Sequence, residues 1–353
     1  MNNLLLILTF MVSQISPEFP FPDFVMECYP KTVMPGDTLY VTIVAKNPFE
    51  ESIFINDDHS LNEFRFHLRD SQNQQPLCSD KKLTSPNQIP PPIFSSLLNF
   101  EEIRPGNPHL FFTSTIQVPP LEDLKEPFWE KYFKNLATGN EEFMLNLTFK
   151  GYFAEKQDGS GNSQPIPITL EIPITIKQRS EKEMALIRKW HNTLADYLVS
   201  QEFQKFGVTG PKSDMPKNTI VKNEKFSHWY FVQNFNLYPN TLDIPETWQG
   251  WKALEDSLSP STMRDEIRLT RILIQYCDTQ DEKVLDELKT WFDVMNEVQR
   301  TVMAKSIRDR AEHTYGEKLL PQFCEIYKTI REYDVVPIPE SKEKHLRDLG
   351  ILE

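Results

Sequence analysis

Aromatic rings are the densest chemical feature of this 353-residue sequence. Phe226–Tyr238 reads FSHWYFVQNFNLY, and Trp248 and Trp251 follow it. If exposed, Trp229, Tyr230, Trp248 and Trp251 form a ligand-contact platform on which sugar rings or a protein partner stack. If buried, the same rings staple a small helical body or seal it to its neighbour. Burial is the commoner fate of large apolar rings.

The remaining chemistry-bearing residues point to no reaction. Arg264, Arg268 and Arg271 share a helical face and could hold an anion. Asp265 and Glu266 stand among them, so a solvated charged face is the plainer expectation. Asn56-Asp57-Asp58-His59 gathers ligand types in one run, but a metal needs ligands converging from several segments, and this reads as a polar turn. Asp158, Ser160 and Asn162 mimic the start of a calcium loop. Ser163 replaces its glycine and Thr169 its bidentate glutamate, which leaves a hairpin turn.

None of the seven histidines stands at HExxH spacing, and His191 falls on an apolar stripe where a core histidine is expected. Neither GxSxG, GxGxxG nor GxxxxGK[ST] occurs. No catalytic, metal or cofactor residue is therefore assigned. A site assembled from distant segments would have no local signature.

The elements that would position any site divide in two. In Thr32–Ile55, Pro35-Gly36-Asp37 is turn chemistry, with Gly36 supplying a positive φ. Leu39, Val41, Ile43 and Ala45 then alternate with Tyr40, Thr42, Val44 and Lys46, a half-buried strand. Asn47-Pro48 ends it and Ser52–Ile55 restarts in β-type residues. Phe24–Tyr29, Glu63–Arg69, Leu110–Val118, Phe143–Phe153 and Ile166–Ile176 read as further strands. Asp158–Asn162 makes the turn between the last two. Arg104–Pro108 repeats the Pro-Gly turn, which suggests two hairpins of one sandwich. Leu124, Phe128, Tyr132 and Leu136 predict a short helix over one end of the sheet.

This pattern of seven to eight strands and turns, with Pro-Gly-Asp ahead of an alternating strand that closes on Asn-Pro, resembles bacterial immunoglobulin-like and fibronectin-like β-sandwich modules. The resemblance implies a fold and carries no functional residues across.

At Ser180 the rhythm changes. Ser180 and Glu183 form a capping box, and Met184, Ile187, His191, Leu194 and Leu198 follow at helical spacing. Helices are expected at 246–258, 261–277 and 281–300, with two more between 301 and 333. Thr279–Glu282 reads as a second capping box. From Val335 the chain is Pro-bearing, then charged, and is expected to fray. The expected fold is α+β multidomain, an N-terminal antiparallel Ig-like β-sandwich (22–178) followed by an all-α helical domain (180–335) and a tail (336–353).

A net charge of −13 leaves no basic footprint for nucleic acid. Leu4–Val12 is apolar but for Thr9 and falls short of the ~20 residues that cross a bilayer. It has the length of a signal-peptide core, with residues 1–16 as the leader, although no Lys or Arg precedes it. A secreted or cell-envelope location follows, with another extracytoplasmic protein or a glycan as partner and no membrane span. In that setting the four cysteines allow one bridge per half, Cys28–Cys78 and Cys277–Cys324; they read equally as small buried hydrophobes. The leading expectation is a non-catalytic exported binding or structural module acting through protein contacts. The alternative is an exported hydrolase or carbohydrate-binding protein with its site between the two domains.

Overall fold

The structure is a computed structural model that describes residues 21–56, 64–70, 81–82, 100–118, 142–154, 156–157, 165–191, 248–313, 320–338, 340–348 and 350–352. The leader, Trp229 and Tyr230, the helix expected within 121–136, Asp57–His59 and the turn at Asp158–Asn162 lie outside these residues.

The chain is an α+β mixture with its strands first and its helices in the C-terminal half. Eleven strands are described: β1 (Asp23–Tyr29), β2 (Thr32–Val33), β3 (Thr38–Lys46), β4 (Ile53–Asn56), β5 (Arg65–Asp70), β6 (Lys81–Lys82), β7 (Phe100–Ile103), β8 (Pro108–Gln117), β9 (Glu142–Gly151), β10 (Phe153–Ala154) and β11 (Ile166–Ile176). They form sheets ordered β1-β3-β8, β10-β4-β7 and β2-β11-β9-β5-β6. The named strands pair antiparallel except for the short parallel contact of β2 with β11. As the alternation predicts, β9 and β11 pair directly, with Ile166 opposite Gly151.

All three sheets bury their apolar faces in one core. Phe24, Phe64, Phe111 and Phe149 are its aromatic centre, with Phe64 and Phe149 stacked at 5.0 Å and Phe24 edge-on to Phe149 at 5.2 Å. The β3–β8 register slips between Ile43 and Val44, leaving Phe111 as an extra residue. Such a bulge breaks strict alternation, and both Phe111 and Phe112 are buried.

The two Pro-Gly turns have the positive φ that their glycines predict, +86° at Gly36 and +71° at Gly106. They are not two hairpins. Each opens a strand, β3 and β8, and those strands pair with each other, so the turns stand at opposite ends of one ladder. The Gly36 amide donates to the Val118 carbonyl, and the Gly106 amide to that of Asn47. The buried Asn47 amide donates to the carbonyls of Glu51 and Ile103, which ties together the two places where the chain crosses between sheets.

Seven α-helices follow among the described residues: α1 (Glu181–His191), α2 (Trp248–Ser257), α3 (Thr262–Thr279), α4 (Glu282–Val294), α5 (Glu297–His313), α6 (Leu320–Ile330) and α7 (Glu340–Asp348). A 3-10 turn at Arg331–Tyr333 extends α6. The helix expected over 281–300 is two helices. Met295 leaves helical geometry, and the Asn296 side chain accepts from the Val298 amide to start α5. Asp281, rather than Thr279, caps α4 by accepting from the Lys283 amide. The tail does not fray: Leu346, Ile351 and Leu352 are buried in the helical core.

One expectation about β3 is corrected in a way that organises the molecule. Its alternation is real, but from Thr38 to Ile43 both faces are buried. Leu39, Val41, Ile43 and Ala45 enter the sheet core, while Thr38, Tyr40 and Thr42 are buried beneath the helices. Helices α3 and α5 pack against that outer face, and α5 reaches across β1 and β8 as well.

Candidate functional site

The largest cluster of buried charge tying the two halves together lies in this seam. Asp37, which closes the first turn, receives three donors. Arg179 Nη2 and the Met263 amide reach Oδ1 at 2.7 and 3.1 Å, and the Met34 amide reaches Oδ2 at 2.8 Å. Arg179 also donates from Nε to the Pro35 carbonyl at 2.5 Å and from Nη2 to Ser261 Oγ at 3.3 Å. Ser261 in turn caps α3 by accepting from the Arg264 amide. A turn of the sheet half, the exit from β11 and the start of α3 are thus pinned through one guanidinium.

Glu183 closes a second link. The Ser180 hydroxyl accepts from the Glu183 amide, as a capping residue should, at 3.3 Å. Glu183 Oε1 accepts from the Ser259 amide at 2.7 Å, joining α1 to the segment ahead of α3. Burial pushes this carboxyl up, but the Ser259 bonds and the Arg179 charge outweigh it and hold the pKa below the ordinary value.

Deeper in the seam, the Thr38 amide donates to Thr262 Oγ1 at 2.9 Å and the Tyr40 hydroxyl to Glu266 Oε1 at 3.0 Å. Glu266 Oε2 and Thr38 Oγ1 are buried without a well-aligned partner. Burial pushes the Glu266 carboxyl up to about 8, with the Thr38 and Tyr40 hydroxyls opposing the shift and Asp37 and Asp265 adding to it. The same burial raises Asp37, against the pull of Arg179, and raises Asp265, whose Oδ2 accepts from Gln299 of α5 at 3.0 Å. These groups hold each other. Tyr40, Asp37, Arg179 and Glu266 are each no more than 5% exposed, which bars direct contact with a substrate in this state.

The aromatic and arginine candidates fall elsewhere. Trp251 is 1% exposed in the helical core, which leaves no ring face for a ligand, and Trp248 is half-buried against the same core. Arg271 is not on a solvated face. It is buried, with Nε on Glu255 and its two amino groups on Glu287 at 2.8 and 2.5 Å. Arg268 donates to the other oxygen of Glu255 at 2.7 Å and lies over the Trp291 ring at 5.3 Å. Carboxylates of α2 and α4 therefore occupy two of the three arginines proposed for an anion. Asn56 is fully buried, its backbone amide donating to the Tyr152 carbonyl.

Burial pushes the thiols of Cys28 and Cys277 up to about 12, so they are inert hydrophobes at neutral pH. Both are free, so neither proposed bridge is formed. Among the described residues no group of three His, Cys, Asp or Glu side chains is placed to hold a metal, and no helix is long and apolar enough to cross a membrane.

In the sequence Asp37, Ser180, Glu183 and Glu266 read as turn, cap and charge-balancing residues, not as one cluster. The available signal was the outer face of β3. Tyr40, Thr42 and Val44 carry no charge, which suits a second buried face better than a wet one.

No family model matches the chain, and no curated protein matches it. Among solved structures it is similar to Spo0M, the sporulation control protein of Bacillus subtilis, at 9% identity and a TM-score of 0.24 over 46% of this chain and 51% of that one. It thus spans about half the length of Spo0M. A protein of Archaeoglobus fulgidus matches at 9% identity and a TM-score of 0.23, over 44% of this chain and 98% of that one. Native alpha-2-macroglobulin of Escherichia coli, from domain MG7 to the C-terminus, matches at 9% identity and 0.22, over 94% and 55%. At such TM-scores the likenesses carry no functional weight.

Proposed function

We propose that this chain is an exported, non-catalytic binding or structural module that works through protein contacts, with an Ig-like sandwich fused to a helical half. The observation behind the reading is the condition of the seam. Its charged groups are spent inside it, Asp37 on Arg179 and the Met263 amide, Arg179 on Ser261 and Glu266 on the Tyr40 hydroxyl, and these bonds hold the two halves in one fixed relation. A catalytic cleft between the halves would need those groups facing a substrate. A scaffold that presents its outer surfaces to a partner needs them spent internally, as here. The Ig-like assignment rests on the Pro35-Gly36-Asp37 turn and on strands that share one core. Export rests on the apolar Leu4–Val12 run.

The test uses the chain with its own leader. It should be recovered outside the cytoplasm with a new N-terminus beyond residue 12. Cross-linking on intact cells should yield one protein adduct that excess purified chain competes away. An uncleaved cytoplasmic chain would overturn the export. Turnover of a glycoside or ester substrate, abolished by a single substitution, would replace this reading with that of an exported hydrolase.

A further inference from the structure

Glu266 is buried with only neutral hydroxyls as hydrogen-bond partners, Tyr40 on Oε1 at 3.0 Å and Thr38 beside it, and its Oε2 has no well-aligned donor. The guanidinium of the seam is committed to Asp37 and the Pro35 carbonyl. Around Glu266 stand Asp37 from the turn before β3, Tyr40 from β3, and Asp265 on its own helix. Arg264, Arg268 and the Gln299 amide of α5 act on Asp265, and Tyr29 of β1 lies near both Asp37 and Asp265. An ionised Glu266 would be a buried charge met by hydroxyls alone among acidic neighbours, whereas a neutral one carries its own proton on the side of Thr38.

The geometry points to a proton-operated seam: with Glu266 neutral, α3 is clamped on β3, and as the proton is lost the contact opens while each half stays folded. Two features make opening separable from unfolding. Each half has its own apolar core, the helical one taking in Tyr40 and touching Tyr29 from the strands, and the strand and helix programmes meet in the short stretch 177–180. The proton leaves to bulk water on opening, where the carboxyl returns to its ordinary pKa of 4.5. Opening is therefore favoured progressively from that pH up to about 8, where the closed seam itself loses the proton and the effect levels off.

Hydrogen–deuterium exchange of the full chain, corrected for the intrinsic pH dependence of exchange, tests this. Peptides covering 38–46 and 262–270 should lose protection by about tenfold per pH unit between 6 and 8 and level off above. Peptides covering 143–149 and 284–292 should keep theirs. Glu266→Gln, which carries no proton to lose, should hold the seam peptides near their acid protection throughout. Should that variant fail to fold, Tyr40→Phe gives the second arm: it removes a donor that favours the ionised form, so levelling-off should move to higher pH. Seam protection that does not change with pH, a slope that survives Glu266→Gln, a levelling-off unmoved by Tyr40→Phe, or equal loss in the core peptides would each overturn the proposal.

Discussion

Arg179 Nη2 lies 2.7 Å from Asp37 Oδ1, and both side chains are buried. The first residue leads out of the last strand and the second closes the turn into β3, so a pair separated by most of the sheet half clamps that half to α3.

Arg179→Met should destabilise the protein by about 3–5 kcal/mol, because it strands a buried carboxylate rather than merely losing an attraction. Pairing it with Asp37→Asn should recover part of the loss. Urea denaturation of the two single variants and the double variant measures the coupling. Strict additivity would show that the two residues do not act as a pair.

Glu266 sets a pH dependence of stability with a definite sign. Its carboxyl holds a proton in the folded chain up to about 8 and in the unfolded chain only to its ordinary 4.5. The folded state therefore binds more protons across that window, and stability falls as pH rises through it, by up to about 1.4 kcal/mol per unit. Glu266→Gln should flatten the fall and raise the Tm at pH 8 relative to the unsubstituted chain, as read by thermal melts across the pH range.

Much of this architecture was legible in the sequence because it depends on local chemistry. The positive φ of Gly36 and Gly106, the pairing of β9 with β11, and the change of rhythm at Ser180 all follow from residues near each other in the chain. What was not legible depends on partners far away. The Pro-Gly echo looked like two hairpins because nothing local reveals that β3 and β8, far apart in the chain, pair with each other in one sheet. Likewise, the arginine stripe of α3 looked wet until Glu255 and Glu287 met it from α2 and α4. Glu266 read as a neutraliser of that stripe, yet it faces the other way, toward Tyr40. On a helix, one residue's displacement from its neighbours turns a side chain by about 100°.

Trp251→Ala should cost about 3–5 kcal/mol, since it empties a fully buried site in the helical core. Trp248→Ala should cost less, because that ring is only half-buried. Guanidinium denaturation of both variants checks the order. Equal, small losses would return Trp251 to the surface and revive the aromatic platform.

Gly151 has no room for a methyl group. A Cβ there would lie 2.6 Å from Phe153 Cζ and 2.9 Å from Ile168 Cδ1. Gly151→Ala should therefore cost about 1–3 kcal/mol through overpacking. Gly106→Ala meets open space and should cost about 1 kcal/mol, from its φ of +71° alone. Denaturation midpoints should rank the two in that order.

Calorimetry of the full chain at pH 6 tests most directly whether the sheet and helical halves are one cooperative body joined through this seam. A single transition is expected for the unsubstituted chain, with Arg179→Met splitting it in two. Two transitions in the unsubstituted chain, at temperatures that Arg179→Met leaves unchanged, would contradict it.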